Sequence, residues 1–402
     1  MTAPGGNATE PAPLATHGLG YDRVEPDWAP LTADEAADVL GGPVRLHWHS
    51  PRPLSAAAVV EHDGRRVFLK RHHTGVRTLE GLEEEHAFLR HLRSRGAPVV
   101  DVLAASARGE WTYEVHSLGH GTDLYQDALS WTPFTSVHHA REAGSALARL
   151  HRAAVGHRAP ARRVQPLVSS FRVFGGPDPQ GALAAYAAER PALADALRSD
   201  PVDADLTRWH LPLHAELAPL LPELEPLWTH NDWHASNLLW DTTGGGDTVS
   251  TVLDFNLSDR TTAVHDLAVA LERNVFGWLD LPRGHRHVSV QHAHLTALLE
   301  GYAAVRPLSE AEAEALPALL PLVNAEYALS EMHYFHEVTR SAANTALARA
   351  YFTDHTRWFT TEPGRLALRQ VRDTARRLTA SAHPSGRKSG GGPGGERAGS
   401  RA

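Results

Sequence analysis

The chain has 402 residues, 42% of them hydrophobic and 21% charged, enough apolar material for two lobes and too much for a wholly disordered protein. With 39 Lys+Arg against 47 Asp+Glu the formal charge is -8, which argues against a broad basic footprint for nucleic acid or anionic lipid. The absence of cysteine excludes disulfides, thiolate metal sites and cysteine nucleophiles. MTAPGGNATEPAP lacks the basic-then-apolar pattern of a signal peptide, and no apolar run is long enough to cross a bilayer, so a cytoplasmic protein without a membrane or nucleic-acid partner is expected.

In chain order, residues 1–24 and 381–402 are rich in Gly, Pro, Ala or Ser without periodicity and read as tails. From Val44 the runs VRLHWHS, SAAAVVEH and RRVFLKRH alternate as strands, the last two joined by Asp63-Gly64, a hairpin signal. A helix over Leu79 to Arg95 follows, stopped by Gly96 and Pro98. Two short strands come next, around VVDVLAA and WTYEVHS. Beyond Gly119 the pattern turns helical: Val137, Ala140, Ala143, Leu147 and Leu150 mark one helix face, with Ser136 as its N-cap. Residues 160–225 read as several short helices, and Val264 to Leu378 as more. The plan is an α+β chain: a small sheet lobe with one helix over 25–115, then a large, mainly helical lobe over 116–380.

Chemistry concentrates at His230-Asn231-Asp232-Trp233-His234-Ala235-Ser236-Asn237, which runs directly into the apolar strand Leu238-Leu239-Trp240. The turn-forming stretch 241–247 separates that strand from VSTVL, and Asp254 follows at once. A hairpin returns the chain to its starting end, so Asn237 and Asp254 should emerge side by side, with Asp232 close by. Such hard oxygen ligands suit Mg²⁺ held jointly with a phosphate substrate. Only two of the 39 basic residues are lysine, Lys388 in the tail and Lys70 at the end of VFLK, where a compact ammonium does what a planar guanidinium would not. In the helix after it, Glu85 shares a face with Leu82, Leu89 and Leu92, and a carboxylate on a buried stripe needs a cation.

VFLK, EEEHAFLRHLRSRG, EVHSLGHGTDL, LARLH, HNDWHASNLLW and VLDFNLSDRTTAVHDLA together resemble the aminoglycoside phosphotransferase and choline kinase superfamily, over roughly residues 44–270. The resemblance implies a protein-kinase-like two-lobed fold and an ATP- and Mg²⁺-dependent phosphotransferase acting on the hydroxyl of a small molecule. It further implies that Lys70 pairs with the nucleotide phosphates and with Glu85, that Asp232 takes the acceptor's proton, that Asn237 and Asp254 hold Mg²⁺, and that His230 and Asp266 brace the loop. Two positions where glycine is usual in that superfamily are Asn231 and Asn256 here. Asparagine tolerates left-handed backbone, so either turn can persist. No glycine-rich phosphate loop is visible, and Ser50 to Ser55 stands in its place.

The acidic helices after Asp266 suggest a cationic acceptor, with Glu272, Glu331 and Glu337 as candidate contacts. Glu310, Glu312 and Glu314 read as a solvated helix face, and His333, His336 and Glu337 as ordinary helix residues rather than zinc ligands, since no third ligand is evident. Open alternatives are a kinase of homoserine or another metabolic alcohol, a kinase of Ser/Thr in a precursor peptide, and a nucleotide-binding scaffold without turnover. Oligomeric state is not legible.

Overall fold

The protein's structure is a computed structural model that describes Tyr21, residues 24–52 and residues 54–382. The two expected tails and Lys388 lie outside the described residues, apart from Tyr21, Val24, Ser381 and Ala382.

Period-two alternation explains the sheet lobe. Strands β1 (Val44–His49), β2 (Ala56–His62), β3 (Arg65–His73), β4 (Val102–Arg108) and β5 (Trp111–Ser117) form one antiparallel sheet in the order β1-β2-β3-β5-β4. Asp63 and Gly64, both at positive φ, make the tight β2–β3 turn that their sequence signals. One face carries Ala56, Ala58, Val60, Leu69, Tyr113 and Val115 into a small apolar core with Leu31 and Ala36. That core is closed by α1 (Ala33–Leu40), a helix the sequence pattern did not reveal, so the lobe has two helices instead of one. Arg71, on the Leu69 face, fastens α1 by donating to both Glu35 carboxylate oxygens at 2.7 and 2.9 Å. The opposite face presents Lys70, His72 and Glu114 towards α2 (Leu79–Ser94). Lys70 stands directly across the ladder from Glu114.

The rest is mainly helical: α3 (Val137–Ala154), α4 (Pro179–Ala188), α5 (Pro191–Ser199), the single turn α6 (Asp203–Asp205) and α7 (Leu211–Leu217) precede two short two-stranded sheets. Ser136 caps α3 by accepting the His139 N–H, as expected. Strands β6 (Pro226–Thr229) and β9 (Asp259–Thr262) pair with each other, and β7 (Leu238–Asp241) pairs with β8 (Thr248–Val252). Then follow α8 (Ala263–Val275), α9 (His292–Val305), α10 (Glu310–Leu319), α11 (Val323–Glu337), α12 (Ala342–Trp358) and α13 (Glu362–Ala382). Helices α3 and α9 touch backbone to backbone, because Gly144 and Gly301 leave no room for a side chain: a Cβ would sit 2.1 Å from the Leu298 carbonyl oxygen and 2.0 Å from that of Arg141. Glu312 is not the solvated residue its pattern suggests. It is buried, closing a capping box with Ser309 and pairing with Arg306 at 2.7 Å. Among the described residues no helix is long and apolar enough to cross a membrane.

Candidate active site

Helix α8 fixes the loop after β6 at three points. Asp266, in its first turn, accepts the backbone N–H of His230 at 2.9 Å and of Asn231 at 2.8 Å, and the same carboxylate meets His151 of α3 at 3.0 Å. Seven residues on, the Arg273 guanidinium lies 3.5 Å from Asp232. Asn274 accepts from the Ala235 N–H and donates to the Trp233 carbonyl. Positions i, i+7 and i+8 share one helix face, so a single face of α8 holds residues 230–235.

Asn231 sits at φ +60, the left-handed turn that glycine would otherwise supply. Its amide is absorbed locally: the oxygen accepts from Thr229 at 2.9 Å and from Thr261 at 3.2 Å. At the second asparagine the expectation fails, since Asn256 is not in that region and Asp254, two residues earlier, is at φ +55. His230 donates from Nε2 to the Leu253 carbonyl at 2.9 Å and accepts the Asp232 N–H at Nδ1, bridging the loop to the strand end before Asp254.

Asp232, Asn237, Asp254 and Lys70 line one cleft. The β7–β8 hairpin brings Asn237 and Asp254 together as its two ends, the Leu253 N–H bonding the Asn237 carbonyl at 2.8 Å. The Asn237 amide nitrogen donates to the Asp232 backbone oxygen at 3.0 Å and to its carboxylate at 3.2 Å. Burial pushes the Asp232 carboxyl up, but His234 and Arg273 outweigh it and hold the acid well below the usual carboxylate range. Lys70 lies 3.3 Å from both Asp254 oxygens. Burial works against its charge, while Asp254, Glu114 and Glu85 together raise its pKa.

The expected Lys70–Glu85 pair is therefore not what the structure contains. Glu85 is buried with Arg162 at 3.6 Å as its ion-pair partner, and its Oε2 has no hydrogen bond among the described residues. Arg162 also donates to the carbonyls of Asn256 and Gly81, and Arg77 to that of Asn256, so two buried guanidiniums link α2 to the segment after Asp254. Sequence reasoning passed over both because arginine is so common in this chain.

Of the three acceptor candidates, only Glu331 reaches the cleft. Burial pushes its carboxyl up to about 8, with Tyr327 and Arg273 opposing and Asp232 reinforcing. Glu272 points away into the core, 2.7 Å from His355, and Glu337 pairs with His333 at 2.5 Å outside the cleft lining. His336 meets Asp195 instead, so the histidines of α11 do not converge on one point. The same wall contains residues the sequence did not single out: Arg273, sandwiched against Trp131 at 4.1 Å and Tyr327 at 4.9 Å, and Arg52, which donates to Ser130 at 2.6 Å. The spacing of seven between Asp266 and Arg273 was the one signal available.

The donor set fits a hard divalent cation. Asn237 and Asp254 offer an amide and a carboxylate oxygen on one rim, and Asn256 adds a buried amide oxygen with no hydrogen-bond partner among the described residues. A nucleotide phosphate would meet Lys70 in the same cleft.

Residues 55–308 match the model of the phosphotransferase enzyme family. The chain is 31% identical over 239 residues to a homoserine kinase of Rhodospirillum rubrum, covering 58% of this chain and 62% of that protein. It is also 31% identical over 210 residues to a homoserine kinase of Phenylobacterium zucineum, covering 52% and 55%. It thus spans less than two thirds of the length of these relatives. A solved macrolide 2′-phosphotransferase from Brachybacterium faecium aligns over 80% of this chain and 97% of its own, at 19% identity and a TM-score of 0.44.

Proposed function

The chain belongs to the phosphotransferase enzyme family, and from that premise we propose that it transfers the γ-phosphate of ATP to the hydroxyl of a small molecule. The observation that carries this reading is the convergence of Asp232, Asn237, Asp254 and Lys70 on one cleft from segments far apart in sequence. Asp232 orients the acceptor hydroxyl and takes its proton. Arg273 and His234 keep its carboxyl ionised for that task. Lys70 neutralises nucleotide phosphate charge, exchanging Asp254 for phosphate oxygens as the nucleotide enters. Mg²⁺, held by Asn237 and Asp254, would offset charge on the phosphates and bring them into line. Positioning and charge neutralisation are most of what phosphoryl transfer asks of a protein.

Homoserine is the first acceptor to test, because curated relatives at 31% identity carry that activity in their names. Arg273 and Glu331, on the wall beside Asp232, offer a cation for a carboxylate and a carboxyl for an ammonium. The experiment incubates the protein with Mg-ATP and a panel of homoserine, other amino-alcohols and aminoglycosides, reading phosphorylated product by mass spectrometry. A product that names one acceptor supports the reading. Nucleotide binding without any product favours a scaffold or a peptide acceptor.

A further inference from the structure

Away from the acceptor wall, four titratable side chains meet behind Lys70 in a way the proposed chemistry does not use. Glu114, 1% exposed, sits at the centre. His86 Nε2 lies 3.0 Å and His116 Nε2 3.2 Å from its Oε2, while His72 Nε2 lies 2.8 Å from its Oε1. All three imidazoles turn the same nitrogen on one carboxylate, from α2, β5 and β3. His116 Nε2, though this close, makes no hydrogen bond of acceptable direction among the described residues, so a buried nitrogen is aimed at the carboxylate without being satisfied by it.

From this geometry we propose that His86, Glu114 and His116 form a binding site for a divalent transition metal such as Zn²⁺, with His72 holding the carboxylate from outside. The ligand atoms of the three residues lie within 4.8 Å of one another. In a tetrahedral zinc site, ligand atoms each about 2 Å from the ion stand about 3.3 Å apart, close to the two nitrogen–oxygen separations of 3.0 and 3.2 Å found here. Two imidazoles and a carboxylate are a zinc donor set, and they suit Mg²⁺ poorly. His72 on the second oxygen has the position of an outer-shell partner that orients a ligating carboxylate. The strand fixes two of the ligands, because Glu114 and His116 are two residues apart on β5 and face the same way. Helix α2 contributes the third, so a bound ion ties α2 to the sheet at the rung where Lys70 stands opposite Glu114. Lys70 and Arg77 bring positive charge to the neighbourhood, and Glu85 and Asp254 oppose it.

The chain contains 27 histidines, so the test must separate this site from adventitious binding. The metal-stripped full chain, without nucleotide, is titrated with Co²⁺ and then with Zn²⁺ as competitor, following the visible bands of four-coordinate cobalt. One equivalent of Co²⁺ with those bands, displaced by Zn²⁺, is expected. His116→Gln, at the partly open edge where the side chain is 12% exposed, should weaken binding by more than the roughly 10- to 100-fold expected of His72→Gln. His86→Gln should act like His116→Gln, and if it fails to fold, His116→Gln alone decides. Asp254→Asn should leave the cobalt signal unchanged. The proposal is overturned if the wild-type chain binds no such equivalent, if binding survives in His116→Gln, or if it disappears in Asp254→Asn, which would put the ion in the nucleotide cleft.

Discussion

On one rim of the cleft, Asp232, Asn237 and Asp254 come from two short stretches of chain joined by a hairpin; Asp266 holds the loop through the His230 and Asn231 N–H groups, and the Asn237 amide donates to the Asp232 carbonyl. On the other, Trp131, Arg273, Tyr327 and Glu331 arrive from three distant segments and are held by stacking and burial. The first rim is a local motif whose spacing sets its geometry. The second is assembled by tertiary packing, and its electrostatics arise only once the fold buries it.

Replacing residues on each rim should therefore produce different kinds of damage. Apart from loss of Asp232 itself, the largest effect is expected on the hairpin side, where Asp254→Asn removes the proposed metal ligand and the partner of Lys70. Turnover should fall by about 10² to 10³-fold and the Mg²⁺ requirement should rise, as measured by initial rates across a Mg²⁺ titration. If the Mg²⁺ dependence stayed unchanged, Asp254 would not be a ligand.

Asp266→Ala leaves three donors unpaired in the core and should cost about 3–5 kcal/mol of stability in urea unfolding. Burial raises the Asp266 pKa, but His151 and the His230 N–H outweigh it and the folded value lies below the ordinary 3.8. A depressed carboxyl stabilises the fold above the unfolded value and loses that contribution as pH falls below it. The gap between wild type and Asp266→Ala should accordingly be full at neutral pH and narrow in acid.

A smaller effect is expected from Arg273→Met on the packed rim, which removes both the charge and the planar stack on Trp131 and Tyr327. We expect roughly tenfold lower kcat/KM and an acid limb displaced to higher pH, since Arg273 helps to hold the Asp232 carboxyl down. Unaltered acid behaviour would remove Arg273 from the account of Asp232.

The mildest change is expected from Glu331→Gln. Burial raises this carboxyl from 4.5 to about 8, so its ionisation penalises the fold increasingly between those values and by a constant amount above them. The variant should match wild type in acid and exceed it in stability at alkaline pH, as thermal melts across that range would register. Equal stabilities at every pH would mean that the carboxyl is better solvated than its surroundings imply.

The same contrast explains what the sequence could reveal. Strands β1–β5, the Asp63-Gly64 turn, α2, the Ser136 cap and the β7–β8 hairpin follow from periodicity and turn chemistry, which are local. Helix α1 was not anticipated, because its stabilising partners, Arg71 and Tyr113, lie on strands some 35 or more positions away. Glu85 shows the limit within the site: its buried stripe announced a need for a cation, and only the fold could show that Arg162 rather than Lys70 stands nearest. Glu272 and Glu337 were chosen by charge alone, and charge does not say which way a helix turns a side chain.

The central claim, that this cleft performs phosphoryl transfer with Asp232 receiving the acceptor proton, is tested most directly by measuring turnover and Mg-ATP affinity side by side in Asp232→Ala. A loss of roughly 10² to 10⁴-fold in kcat with nucleotide affinity unchanged is the expected result. A variant that still turns over at the wild-type rate would contradict the claim.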